Sequence, residues 1–249
     1  MTEQVPYGCL PAKPAIEDRN IRQRDIVSPE KLVATTAYVV GTGAIGRQVA
    51  LQLAAIGVGT LVLIDPDRVG PENLAVQGFL ESDLEQQLSK VTAVEKLCRA
   101  INHEITVGVS EERFKRKTLS EWGSGIVFSC VDSMESRKFI WTACRGKCTM
   151  LVDGRMAAEV CRVLTLRRPQ DWEYYESTLF DDMQAYQATC TAKSTLYCAN
   201  IAAGFMVSQL SKLYRNMSYD RDVQINILAN EMRVEDQRRP AAADRSVTA

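Results

Sequence analysis

The sequence holds a single histidine, His103, and no C-x-x-C pair among its eight cysteines. Chemistry that needs several imidazoles is thereby excluded, and so are the usual zinc knuckle and the vicinal redox pair. The cysteines stand scattered at 9, 98, 130, 144, 148, 161, 190 and 198, where small buried hydrophobes are the default reading. Cys144 and Cys148 share a helix face, but a metal there would need two more ligands, so no zinc site is expected. No apolar run approaches the roughly 18 residues of a membrane-spanning helix. The opening MTEQVPYGCLPAKP lacks the basic start and apolar stretch of a signal peptide, so a cytoplasmic protein with no membrane contact is expected. Net charge is also missing. Thirty Lys and Arg against 31 Asp and Glu leave −1, which argues against nucleic acid as a partner.

What is present is an ordinary globular chain of 249 residues, 46% of them hydrophobic. A chain of that length buries roughly 70–75% of its unfolded surface and needs no staples. Apolar runs alternate with helical periodicity. Strands are predicted at 37–41, 60–64, 105–109, 126–130 and 150–154, with helices at 44–56, about 88–101 and about 134–146. Strands apolar on both faces, alternating with helices, predict a Rossmann-like doubly wound, mainly parallel α/β sheet. After residue 155 the pattern changes to an alternating strand (160–166), a polar stretch (168–194), a long helix (about 195–215) and a last strand (223–229). That half is expected to form a smaller antiparallel and helical C-terminal lobe. The expected organisation is a flexible segment 1–18, one domain over 19–230 with halves at about 19–155 and 156–230, and a loose tail over 231–249.

Gly41-Thr42-Gly43-Ala44-Ile45-Gly46 closes the first strand and opens the first long helix. Gly41 permits the tight turn, Gly43 lets a phosphate approach the backbone, and Gly46 lets helix and strand pack closely. With Ala44 the helix then offers free amides and a partial positive charge. Asp65 ends the second strand 24 positions after Gly41, the place of an acid that holds a ribose.

The stretch does not stop there. It continues IDPDRVGPENLAVQ, and a further acid, Asp132, follows the fourth strand. In a doubly wound sheet the strand C-termini open on one crevice, so Asp65, Asp67 and Asp132 converge near the phosphates. Carboxylates repel phosphates unless a hard cation intervenes, and Mg²⁺ held by one or two carboxylates plus phosphate oxygens resolves the conflict. The three acids together favour ATP over NAD and disfavour a nicotinamide oxidoreductase.

At this point the chain resembles the ubiquitin-activating-enzyme-like superfamily in its compact ThiF/MoeB form. The likeness rests on RNIRQRD (19–25), VVGTGAIG, IDPDRVGPENLAVQ, the SK of 89–90, INHEI (101–105), CVDS (130–133), LVDGRMAAEV (151–160) and CTAKSTLYCANIAAG (190–204). It implies ATP- and Mg²⁺-dependent adenylation of the C-terminal glycine of a ubiquitin-like protein. Position by position, Gly41, Gly43, Ala44 and Gly46 would cradle ATP and Asp65 its ribose. Asp67 and Gln77 would lie beside the nucleotide, and Asn73 would bond phosphate or the incoming carboxylate. Lys90 would reach the phosphates and Asp132 would orient Mg²⁺. Arg22 would cross to the partner's phosphates in a homodimer. Cys190, heading the last long helix with Lys193 beside it, matches an acceptor cysteine. Its thioester would hand the product to a conjugating enzyme or a sulfur-transfer partner.

One position departs from the pattern. The usual wording is N-L-x-R-Q, whereas here Val76 stands where the arginine is expected. Arg68, Lys90 or the partner's Arg22 would have to supply the missing charge. Otherwise the enzyme is slow, or the chain is a partner-binding scaffold that has lost adenylation. A different carboxylate, tRNA-attached or small, stays open as substrate. Arg155 in DGRM faces either the incoming tail or a surface salt bridge. The aromatic stretch from Trp172 to Tyr186 clamps a peptide or packs on the sheet. Cys198 is expected in the core.

Overall fold

A computed structural model describes residues 19–180 and 194–235. Strands β1 (Thr36–Val40), β2 (Thr60–Ile64), β3 (Thr106–Ser110), β4 (Ile126–Ser129) and β5 (Met150–Ala157) run parallel in the order β3-β2-β1-β4-β5. Three antiparallel strands, β6 (Val160–Leu166), β7 (Asp222–Asn226) and β8 (Glu231–Glu235), continue the same sheet to eight strands. The C-terminal half is therefore an extension of the first sheet and not a second one. The reason is the length of β5: its eight residues reach past the parallel ladder and fold back on β6 through a two-residue turn, with Ala158 at φ +52°.

The period-2 alternation of buried strands divides the core in two. Ala37 and Val39 of β1 face the layer formed by α2 (Ala44–Ile56), α5 (Lys90–Ile101) and α9 (Leu196–Tyr214). Tyr38 and Val40 face the opposite layer, with α7 (Met134–Cys144) and α8 (Gln170–Ser177). The helices begin where their caps stand. Ser89 accepts from the Thr92 amide before α5, Ser133 from the Ser136 amide before α7, and Thr195 from the Cys198 amide before α9. α2 stops at Gly57, which is left-handed at φ +97°. The short α3 (Glu72–Gln77) and α4 (Glu81–Glu85) stand where the sequence shows only a polar loop.

β8 begins inside the segment assigned to the tail. Its residues pair with β7 alone and stay mostly exposed, so no burial pattern announced them. Cys198 is fully buried, and burial pushes its thiol up. No helix among the described residues is long and apolar enough to cross a membrane.

Candidate active site

The ladder aligns Ile64, Val40, Ser129 and Asp153 across β2, β1, β4 and β5, so the turns that follow β2, β1 and β4 open on one edge. Main-chain bonds carry the alignment past the ladder. The Gly41 amide donates to the Ile64 carbonyl and the Cys130 amide to the Val40 carbonyl, each at 2.8 Å, and the Asp65 amide to the Ser110 carbonyl at 3.1 Å. The glycine turn, the Asp65–Asp67 turn and the Cys130–Asp132 turn therefore meet, as the strand assignment predicts.

Each glycine of the turn has its own constraint. Gly41 sits at φ +85°, and a β-carbon there would lie 2.8 Å from the Cys130 carbonyl oxygen. A β-carbon on Gly46 would overlap the Gly41 carbonyl oxygen at 1.8 Å. Gly43 differs. A β-carbon there would meet only the Gln77 side chain, at an ordinary 3.6 Å, so internal packing does not demand glycine. A side chain at Gly43 would stand between Gln77 and the start of α2, where a phosphate would approach the helix amides. Gln77 borders it with its Oε1 buried and without a hydrogen-bond partner among the described residues.

Asp65 is buried and braces the crevice. One oxygen accepts from the Thr42 amide at 2.6 Å and the other from the Asp67 amide at 2.9 Å. Each oxygen keeps lone-pair capacity for a ribose hydroxyl. Asn73 is buried in α3, and its Oδ1 accepts from the Gly70 amide at 2.9 Å, which turns its amide group toward a donor role. Lys90 opens α5 directly after the Ser89 cap, its amide tied to the Asp67 carbonyl at 2.9 Å. Its ammonium pairs with the Asp67 carboxylate at 2.9 Å, with the lysine side chain 9% exposed and the aspartate 62%. Asp67 and Lys90 are thus a pair, not two independent contacts.

The remaining expectations divide. Asp132 is exposed on the turn between β4 and α7. No group of three or more His, Cys, Asp or Glu among the described residues could hold a metal. Mg²⁺ would rest on the single Asp132 carboxylate plus phosphate oxygens, a set that fits how this cation is commonly held. Arg22 is exposed on a segment anchored at the far end of α2, where Gln23 donates to the Ile56 carbonyl at 2.8 Å. Thirteen helical residues span about 20 Å, so Arg22 does not join its own chain's crevice. Arg68 is engaged too, donating to the Gln87 carbonyl at 2.7 Å. Val76 is half-buried next to Gln77. Cys190 and Lys193 lie outside the described residues. At the crevice edge itself stands Cys130, whose thiol burial pushes well up. Cys148, lowered by its hydrogen bond with Cys144, precedes β5 at the opposite edge.

Arg47 carried no clear signal in the sequence, and Arg155 carried an ambiguous one. Arg47, one turn after Gly43 on α2, is 8% exposed, and burial lowers its pKa. It stacks over Phe79 at 5.6 Å, its Nε has no hydrogen-bond acceptor among the described residues, and the Asp83 carboxylate acts on its charge against the burial. Its place directly after the glycine motif is the only hint. Arg155 makes a salt bridge, one of its two expected settings, but inside the fold and not at the surface. It is locked inside a buried cluster, donating to Asp153 at 2.8 Å and to the Thr178 carbonyl and hydroxyl at 2.8 and 3.0 Å.

The chain is 29% identical over 164 residues to the sulfur carrier protein ThiS adenylyltransferase of Escherichia coli K12, covering 65% of this chain and 64% of that protein. It is 31% identical over 135 residues to the SAMP-activating enzyme E1 of Haloferax volcanii, covering 52% of this chain and 50% of that protein. It spans less than two thirds of either relative's length. The crystal structure of E. coli MccB with AMPCPP and MccA superposes with a TM-score of 0.67 over 84% of this chain and 65% of that one, at 16% identity, and so shares the fold. A family model described as the ThiF family matches residues 18–245, and with nearly the whole folded chain inside it, this protein belongs to the ThiF family.

Proposed function

We propose that this chain adenylates the C-terminal carboxylate of a small ubiquitin-like or sulfur-carrier protein, using ATP and Mg²⁺ and releasing pyrophosphate. The observation that supports it best is the convergence of the glycine turn, the doubly bonded Asp65 and the Asp67–Lys90 pair on one edge. The phosphates would lie against the amides that open α2, and Asp65 would accept from the ribose hydroxyls. Asn73 would donate to a phosphate or to the incoming carboxylate. Lys90, already desolvated, would exchange part of its contact with Asp67 for a phosphate oxygen. Mg²⁺, held by Asp132 and the phosphates, supplies charge neutralisation when bound. The substrate carboxylate attacks the α-phosphorus, the bond to the β-phosphate oxygen breaks, and pyrophosphate leaves. No enzyme group becomes covalently attached in this step, so positioning and electrostatics supply the rate.

The reading includes a homodimer, because Arg22 stands an α2 length from its own crevice and only the partner's Arg22 could serve it. It also includes a thioester at Cys190, supported by its place in CTAKST before α9, with transfer to a conjugating enzyme or a sulfur-transfer partner. The setting would be the cytoplasm.

Val76 favours a second reading, a scaffold that binds nucleotide and partner without turnover, since Arg68 and Lys90 are both already bonded. ATP–pyrophosphate exchange with glycine-ended ubiquitin-like proteins encoded next to this one separates the two. Exchange that requires such a protein is the expected result. Tight ATP binding with no exchange, whatever carboxylate is offered, would sink adenylation and leave the scaffold. Exchange with a small carboxylate alone would move the substrate class.

A further inference from the structure

The turn that carries Asp132 hangs from a buried ion cluster that the reaction itself does not use. Asp153 in β5 is fully buried. One of its oxygens meets Arg137 Nη1, and the other accepts from Arg155 Nε at 2.8 Å and from the Tyr175 hydroxyl at 3.1 Å. Two guanidiniums share one carboxylate, so the cluster carries an excess positive charge. The paired arginines hold the Asp153 carboxyl below its ordinary range although burial alone would raise it.

Arg137 is 4% exposed and sits in the second turn of α7. Beyond Asp153, its Nη1 donates to the Gly154 carbonyl at 3.1 Å and its Nη2 to the Val131 carbonyl. That last bond matters because β4 has ended. After the Cys130 amide bonds to Val40, Val131 and Asp132 have no ladder partner, and only the Ser133 cap of α7 follows. One planar fork therefore joins β5 to the carbonyl directly before Asp132. Lysine, a single point charge, cannot span the three acceptors in fixed directions. A carboxylate that takes up a hard cation with little loss of entropy needs its backbone held in advance.

We propose that Arg137 is a positioning residue for Asp132: clamped by Asp153, it holds the Val131 carbonyl and so fixes the turn that presents Asp132 to a magnesium–nucleotide complex. This rests on the adenylation reading above. Arg155 and Tyr175 orient Asp153 without touching the turn, and they serve as internal controls.

The test is ATP binding to the full chain by calorimetry, titrated across Mg²⁺ concentration, for wild type, Asp132→Asn, Arg137→Gln, Arg137→Lys and Arg155→Lys, with melting temperatures alongside. Arg137→Gln is expected to raise the Mg²⁺ needed for half-maximal binding about tenfold, the usual scale for losing a residue that orients a metal ligand. Metal-free ATP affinity should stay unchanged, and Arg137→Lys should fail to rescue. Arg155→Lys should lower the melting temperature while leaving the Mg²⁺ midpoint alone. If Arg137→Gln does not fold, Arg137→Lys, which keeps the charge, carries the same comparison. A Mg²⁺ midpoint that moves in Asp132→Asn but not in either Arg137 variant overturns the proposal. So does an equal shift in Arg155→Lys, which would mark a general loosening. If Asp132→Asn itself leaves the midpoint unchanged, the metal role of Asp132 in the functional reading fails, and the positioning role falls with it.

Discussion

Asp65 and Asp153 are both buried carboxylates at the C-terminal edge of the parallel strands, with two strands of the sheet between them, yet they are satisfied by opposite means. Asp65 accepts from two main-chain amides, those of Thr42 and Asp67. Its partners carry no formal charge, so its negative charge remains to be offered to a ligand. Asp153 accepts from two guanidiniums and a phenol, and its charge is more than cancelled. A buried carboxylate fed by amides is equipped for binding, whereas one fed by arginines is equipped to hold elements together.

Substituting each acid is the sharpest way to break that contrast. Asp153→Asn leaves Arg137 and Arg155 buried without a counter-charge, and a loss of about 3–5 kcal/mol in unfolding free energy is expected. Thermal and urea unfolding would read it. Asp65→Asn should cost less stability, about 1–3 kcal/mol, since one amide loses its acceptor. Its larger effect should fall on ATP affinity, measured by calorimetry. If Asp65→Asn lowers the melting temperature as much as Asp153→Asn while ATP binding is untouched, the division of roles is wrong.

Acid titration sharpens the contrast further. Asp153 has a folded-state pKa below its unfolded value, so its contribution is present above the unfolded carboxylate range of about 3.9. That contribution is lost as pH falls below this range, through the lowered folded value. Stability of the wild type should therefore drop more steeply below about pH 4 than that of Asp153→Asn. Parallel curves would show that the arginines do not bias Asp153. The smallest effect is expected at Arg47. Replacing a buried guanidinium whose Nε lacks an acceptor with methionine should be neutral or mildly stabilising, by up to about 1 kcal/mol. A fall of several degrees in melting temperature would show that its attraction to Asp83 outweighs its burial, and weaker ATP binding would give it a bound anion.

The crevice side of the comparison is legible in the chain and the holding side is not. The place of Asp65 at the crevice is legible because it depends on what is local: a strand end, a glycine turn and a fixed interval between them. Lys90 enters only through the family resemblance of the Ser89–Lys90 stretch, and its pairing with Asp67 does not show there, since an ammonium's partner across 23 positions leaves no periodic trace. In the sequence Arg155 stands between two settings, and the salt bridge it makes is buried where a surface one is expected. Its partners come from Asp153 next door and from Thr178 at the end of α8. β8 escaped for a different reason, since an edge strand with little burial has no hydrophobic pattern to display.

The sequence by itself determined the order of parallel strands and helices, the glycine turn and the edge on which the crevice opens. Burial periodicity and backbone permissiveness act over a few residues, and they are written directly in the chain. Only the tertiary structure decided how each charge is employed: Lys90 on Asp67, Arg68 on Gln87, Arg137 and Arg155 on Asp153, and Arg22 an α2 length from its own crevice. Long side chains take the acceptors that the fold brings within about 3 Å, and those acceptors come from segments far away in the chain.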